Sequence, residues 1–148
     1  MKKVIEINNR EETILLGEKI GSLAFPNMLI TMNGDLGAGK TTMTKGIAKA
    51  LGVNVVVNSP TFTIMKIYEG KYTLYHLDVY RITNSFDDFE LEEYFENNGV
   101  CVIEWAEQIK DLIPKNRLDI IIKDLGDDKR LIELISSGVE YDRIIEGL

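Results

Sequence analysis

The segment Gly34-Asp35-Leu36-Gly37-Ala38-Gly39-Lys40-Thr41 fits the pattern G-x-x-x-x-G-K-[ST], the phosphate-binding loop called Walker A. The apolar run Met28–Met32 before it is typical of a buried strand, and Thr42–Leu51 after it is typical of a helix. Strand, glycine loop and helix in this order are the context in which the motif binds nucleotide phosphates. The sequence therefore predicts a nucleotide site here.

The residue types in this loop indicate how a nucleotide would bind. Gly34, Gly37 and Gly39 permit backbone conformations that a Cβ would forbid, so the loop N–H groups can turn inward around an anion. The start of the following helix adds the positive end of its dipole. We expect Lys40 to reach the β- and γ-phosphates and the Thr41 hydroxyl to ligate Mg²⁺.

Length, charge and cysteine content limit the class of protein. The 148 residues predict a single domain spanning residues 1–148. A net charge of −7 without a basic run disfavours direct binding of nucleic acid. The single cysteine, Cys101, excludes an internal disulfide and is expected to be a buried thiol. No segment resembles a membrane span or a signal peptide, so we expect a cytoplasmic protein.

Outward from the loop, the sequence predicts a three-layer α/β domain, similar to P-loop NTPases, around a mixed parallel and antiparallel sheet. Before the loop we expect a short strand near Val4–Ile7 and a helix from an Asn9 cap to about Leu23. The elements expected after it are a strand at Val53–Val57, hairpins over Thr63–Leu77 and Leu118–Ser136, a central strand at Val100–Ile103, and helices at Ala106–Leu112 and Val139–Ile145. Alternation in the first hairpin predicts that one of its faces is exposed.

Two acidic residues are candidates for the Mg²⁺ side of the site. A phosphate loop normally works with an Asp that closes a neighbouring apolar strand. Val100–Ile103 is such a strand but leads into Glu104, whereas Asp78 follows an alternating strand. Either carboxylate could hold Mg²⁺ through water or orient the attacking water.

The loop Ser59-Pro60-Thr61 has two interpretations. Its hydroxyls could sense the γ-phosphate, as the mobile loops of nucleotide switches do. It could equally be a proline turn that enters a strand. For adenine recognition, the region Asn8–Thr13 is only a hypothesis.

Four segments together resemble the TsaE family, also called YjeE. They are GDLGAGKTT (Gly34–Thr42), SPTF (Ser59–Phe62), YHLDVYR (Tyr75–Arg81) and IEW (Ile103–Trp105). Their order and spacing are those of the family, and the resemblance spans about residues 9–125. TsaE proteins are small bacterial ATPases required for threonylcarbamoyladenosine modification of tRNA.

The resemblance implies an ATP site that uses Mg²⁺. The catalytic residues would be Lys40, Asp78 and Glu104, and the metal ligands Thr41, Asp78 and Glu104. Ser59, Pro60 and Thr61 would form a switch-like loop. The implied ATP-binding residues are Gly34, Asp35, Leu36, Gly37, Ala38, Gly39, Lys40, Thr41, Thr42 and Trp105.

The resemblance also implies partners. Family members act with the proteins TsaD and TsaB, which transfer the threonylcarbamoyl group, so tRNA would be reached only through that complex. ATP hydrolysis would support turnover of the complex rather than the transfer itself.

Other functions and roles stay open. A small-molecule P-loop kinase would need several arginines around the transferred phosphate, and the five arginines here are scattered. A nucleotide-dependent interaction switch would bind ATP with negligible hydrolysis. His76 could shuttle a proton or make a structural hydrogen bond. Arg81 could be an arginine finger or a salt-bridge partner, and the acidic segment Asp87–Glu96 a solvated helix face or a docking surface.

Overall fold

The computed structural model describes residues 1–35, 37–60, 65–79 and 92–148. Several predictions fall outside these ranges. They concern Leu36 of the phosphate loop, Thr61 of the switch-like loop, Arg81, the start of the first hairpin and the first half of the acidic segment.

In the described ranges, seven strands form one sheet with the order β1-β7-β6-β2-β5-β4-β3. The strands are β1 Lys2–Ile7, β2 Met28–Asn33, β3 Met65–Tyr68, β4 Leu74–Asp78, β5 Val100–Glu104, β6 Arg117–Gly126 and β7 Lys129–Ser137. β4, β5, β2 and β6 are parallel neighbours. β3, β7 and β1 attach antiparallel at the two sides, which confirms the predicted mixed sheet.

Four α-helices and one 3-10 helix accompany the strands in the described ranges, and the first helix begins where its predicted cap places it. They are α1 Arg10–Ser22, α2 Lys40–Ala50, α3 Glu92–Phe95 and α4 Val139–Glu146, with a 3-10 helix at Ala106–Leu112. Asn9 caps α1, since its Oδ1 accepts from the Glu12 N–H at 2.9 Å. The Glu12 carboxylate in turn accepts from the Asn8 N–H at 2.7 Å, which satisfies a second backbone donor.

Helices cover both faces of the sheet. Side chains of α1, α2 and α4, including Ile20, Ile47 and Tyr141, form one apolar core with the strands. Phe95 of α3 and Ile109 of the 3-10 helix belong to a second core on the opposite face. The predicted three-layer arrangement is confirmed. Within the described residues, no helix is long and apolar enough to cross a membrane.

Glycines let α1 pack very closely against α2, the helix that follows the phosphate loop. A Cβ at Gly46 of α2 would overlap the carbonyl oxygen of Ile14, and a Cβ at Gly17 would overlap that of Met43. Backbone therefore lies against backbone at this crossing, which holds α2 rigidly behind the loop.

The strand predicted at Val53–Val57 is wrong. The segment has no strand pairing in the described part of the chain, and Val55 and Val56 are 63% and 74% exposed. β-branched residues favour extended backbone, but a strand also needs a pairing partner. Here the Tyr68 hydroxyl contacts the Asn58 backbone instead.

The exposed face predicted for the first hairpin is also wrong for β4. Leu74 to Leu77 are buried on both faces, because Leu74 packs in the core on one side of the sheet and Tyr75 and Leu77 pack in the core on the other. The alternation in the sequence came from His76, a polar residue that is buried with a hydrogen-bond partner.

Candidate functional site

The carboxyl ends of the parallel strands bring the predicted site together. β2 runs into the phosphate loop, while β4 and β5 end beside it at Asp78 and Glu104. These two residues are directly paired in the parallel register. Because side chains alternate along a strand, both lie on the face of the sheet that α2 covers.

One cavity of about 280 Å³ collects most of the predicted residues. It is lined by Gly37, Gly39, Lys40, Thr41, Thr42, Ser59, Asp78, Glu104 and Trp105. Gly34, Asp35 and Ala38 belong to the loop but do not line this cavity, and Pro60 is buried away from it. The structure thus joins four sequence segments that were predicted separately.

The loop backbone adopts conformations that favour glycine. Gly37 has φ 80° and Gly39 has φ 114°, both in the positive region that side chains rarely enter. Gly39 is also the N-cap of α2, so the first N–H groups of this helix point toward the cavity. This arrangement can bind an anion.

Lys40 is buried in the loop with carboxylates around it. Its Nζ donates to the carbonyl oxygens of Gly34 at 2.5 Å and Asp35 at 3.0 Å. Burial lowers the pKa of the ammonium from its ordinary value, while the charges of Glu104, Asp78 and Asp35 oppose that shift. A phosphate would offer the ammonium a stronger partner than the two carbonyls do.

The carboxylates are held by neighbours. Glu104 is 3% exposed, and its Oε2 lies 2.6 Å from His76 Nε2. Asp78 is partly exposed, with Ser59 Oγ 3.5 Å from its Oδ2. His76 therefore has a hydrogen bond, one of the two roles considered for it, and its partner is Glu104.

The donor set fits Mg²⁺. Thr41 contributes a hydroxyl and Asp78 and Glu104 contribute carboxylates to the same cavity, and hard oxygen ligands are what Mg²⁺ prefers. Across the described ranges, no group of three or more His, Cys, Asp or Glu side chains forms a cation cage. One hydroxyl and two carboxylates suit a Mg²⁺ ion that is held by few protein ligands together with nucleotide phosphates.

Trp105 has a conformation that sequence reasoning could not reveal. Its backbone is left-handed, with φ 62° and ψ 35°, which costs about 1–3 kcal/mol for a residue that is not glycine. Its N–H donates to the Met32 carbonyl at 3.0 Å. This turn places the indole ring 4.2 Å from Lys40 Nζ, so Trp105 forms part of the cavity wall.

Arg130 is a residue that the sequence analysis missed. Its Nε donates to the Ala38 carbonyl in the phosphate loop at 2.6 Å, and its Nη1 bonds Asp124 Oδ1 at 2.9 Å. No local signal marks it, since it lies on β7, far along the chain from the loop. It lines a second cavity of about 80 Å³ with Arg10, Thr13, Gly37, Gly39, Thr42 and Asp128.

A glycine loop between a buried strand and a helix, with acidic residues at the ends of adjacent parallel strands, defines an α/β protein of the P-loop class. Comparison with known proteins narrows this class to one family. The family model for threonylcarbamoyl adenosine biosynthesis protein TsaE matches residues 7–132. The chain belongs to the TsaE family, which confirms the resemblance seen in the sequence.

Individual members of the family are similar to this chain over most of its length. A Bacillus subtilis protein named tRNA threonylcarbamoyladenosine biosynthesis protein TsaE is 48% identical over 141 residues, 95% of this chain and 89% of the relative. A Treponema pallidum protein of the same name is 38% identical over 124 residues, which are 82% of this chain and 92% of that relative. The crystal structure of Bacillus subtilis YdiB matches with a TM-score of 0.87 at 41% identity, covering 99% of this chain and 93% of that one.

Proposed function

We propose that the protein binds ATP with Mg²⁺ in the 280 Å³ cavity and hydrolyses its γ-phosphate in support of threonylcarbamoyladenosine modification of tRNA. The observation that carries the proposal is the shared cavity. It combines the glycine loop, the Lys40 ammonium, the Thr41 hydroxyl and two carboxylates. Each of these groups has a defined use in phosphoryl chemistry.

Each group would act on a different part of the nucleotide. The loop N–H groups and Lys40 would hold the phosphate oxygens and stabilise charge that develops during cleavage. Thr41, Glu104 and Asp78 would hold Mg²⁺, directly or through water. Bound Mg²⁺ would supply positive charge that offsets the charge of the phosphates. The carboxylate not occupied by the ion would orient the attacking water.

Membership of the TsaE family supports a role in threonylcarbamoyladenosine modification of tRNA. The relatives from Bacillus subtilis and Treponema pallidum are named for tRNA threonylcarbamoyladenosine biosynthesis. We infer that this chain serves the same modification in the cytoplasm, with TsaD and TsaB as its partners. A net charge of −7 supports an indirect contact with tRNA through those partners.

The kinase alternative has little support in the described residues. None of their arginines lines the larger cavity. Arg130 is bonded to the loop backbone and Arg117 pairs with Asp119 at 2.8 Å. A kinase site needs cations around the transferred phosphate. The switch alternative retains one supporting feature, because Ser59 lies near Asp78 and could respond to the γ-phosphate.

Hydrolysis of ATP with and without the partners tests the proposal. We expect slow release of phosphate by the purified protein alone and faster release when TsaD, TsaB and tRNA are added. ATP binding without hydrolysis, even with all partners present, would favour the interaction switch. Phosphate transfer to a small molecule in an acceptor screen would favour the kinase.

A further inference from the structure

His76 and Glu104 form a buried pair behind the cavity. The imidazole is 0% exposed and Glu104 3% exposed, and 2.6 Å separates Nε2 from Oε2. His76 pairs with Val102 in the register of β4 and β5, so Glu104 is its diagonal neighbour on the same face. The two side chains therefore meet because of the strand register rather than a flexible contact.

The hydrogen bond has one direction. A carboxylate only accepts, so the proton between the two atoms belongs to His76 Nε2. Nδ1 is buried and has no hydrogen-bond partner in the described part of the chain. A proton on Nδ1 would be a buried donor without an acceptor, which is costly. Of the two tautomers, the one protonated at Nε2 therefore donates to Glu104 and avoids a buried, unpaired N–H at Nδ1.

This bond fixes one oxygen of Glu104 and restricts the conformations of its side chain. Oε2 is held by His76, while Glu104 still lines the cavity beside Thr41. A glutamate side chain has three rotatable bonds, and a buried donor at one oxygen removes much of that freedom. The carboxylate then presents Oε1 in one orientation.

We propose that His76 is a positioning residue, which orients the Glu104 carboxylate so that Oε1 can serve the Mg²⁺ shell of the bound nucleotide. The inference rests on the proposed function and assigns His76 a role within that site. Hydrogen-bonded neighbours that orient a metal ligand commonly contribute about 10–100-fold to metal affinity. A histidine that only filled the core would not change the Mg²⁺ requirement.

Two substitutions at this position separate the roles. His76→Phe keeps a ring but removes the donor, whereas His76→Gln keeps an N–H near the position of Nε2. The measurement is the Mg²⁺ concentration that gives half of the ATP-induced change in Trp105 fluorescence. Trp105 is the only tryptophan and lines the cavity, so the signal is local.

We expect the Mg²⁺ half-saturation to rise about ten-fold or more in His76→Phe and to stay within about three-fold in His76→Gln. ATP affinity without Mg²⁺ should be the same in both. Equal Mg²⁺ half-saturation in folded His76→Phe and in the wild type would overturn the inference, as would an equal loss in both variants. Glu104→Gln serves as a reference for the proposed function. If this variant also has an unchanged Mg²⁺ half-saturation, the proposed role of Glu104 in holding Mg²⁺ is wrong, and not only the role of His76.

A measurement on the unaltered protein applies even if His76→Phe does not fold. The chain has one histidine, so the nitrogen NMR signals of imidazole report His76 alone. We expect a protonated Nε2 and an unprotonated Nδ1, with a shift of the Nε2 signal when Mg²⁺ and ATP bind. A proton on Nδ1 alone would contradict the inference. An Nε2 chemical shift that stays unchanged when Mg²⁺ and ATP are added would contradict it too.

Discussion

Arg130 donates its Nε proton to the carbonyl oxygen of Ala38 over 2.6 Å, although 92 positions separate the two residues in the chain. The contact joins the last β-hairpin to the phosphate loop. It fixes the orientation of one peptide unit in a loop whose N–H groups must all converge on a phosphate. The guanidinium is itself held by Asp124 and by the Lys129 carbonyl, so the loop is attached to a rigid hairpin.

Removal of this anchor should weaken nucleotide binding. We expect Arg130→Ala to lower ATP affinity about ten-fold, which matches the loss of one hydrogen bond to a charged group. Calorimetric titration of ATP would measure the effect. Arg143→Ala, an exposed arginine on α4, is the matched control and should bind like the wild type. Unchanged affinity in Arg130→Ala would show that the loop keeps its geometry without the anchor.

Glu104 and Asp78 should affect turnover more than nucleotide binding. Glu104→Gln keeps the size of the side chain and removes its charge, so we expect ATP hydrolysis to fall about 100-fold or more. Asp78→Asn should also lower turnover. The control is Glu107→Gln, an exposed position on the neighbouring 3-10 helix. Normal phosphate release by both Glu104→Gln and Asp78→Asn would exclude these carboxylates from the reaction.

A buried hydrogen bond to β2 should contribute to stability. The Leu29 N–H donates to the Tyr141 hydroxyl at 2.8 Å, which ties α4 to the strand that leads into the phosphate loop. Tyr141→Phe leaves that N–H buried without its acceptor, so we expect a loss of about 1–3 kcal/mol in the free energy of unfolding. Urea denaturation measures the loss. Tyr72→Phe removes the same atom from a half-buried ring and should cost much less.

Cys101 should report on the integrity of the fold. Burial raises the pKa of its thiol far above the ordinary value, so the folded protein holds almost no thiolate at about pH 8. We expect iodoacetamide to modify Cys101 only after denaturation, as mass spectrometry would reveal. The unfolded thiol ionises near its ordinary pKa of about 8.5, so this group favours unfolding as the pH rises above that value. Rapid modification under native conditions would place Cys101 at the surface.

The sequence predicts those parts of the fold that depend on neighbours in the chain. The phosphate loop, the Asn9 cap and the apolar run before Glu104 each carry their signal within a few residues. The same local reasoning failed at Val53–Val57, because extended backbone becomes a strand only where another strand is available for pairing.

The site itself was predicted in pieces. Lys40, Asp78 and Glu104 were each recognised, but the strand register that pairs Asp78 with Glu104 is a property of the whole sheet. The His76 contact, the left-handed turn at Trp105 and the Arg130 anchor have no local signature. These features depend on where distant strands meet, which a single sequence does not contain.

Equilibrium binding of ATP with Mg²⁺ to the wild type and to Lys40→Ala tests the central claim most directly. Lys45→Ala, five residues further along α2 and outside the larger cavity, is the matched control. We predict that the wild type and Lys45→Ala bind with the same affinity and that Lys40→Ala binds at least about 100-fold more weakly, since a buried charge-assisted contact to phosphate is lost. Equal binding by all three proteins would place the nucleotide outside this cavity and contradict the proposed site.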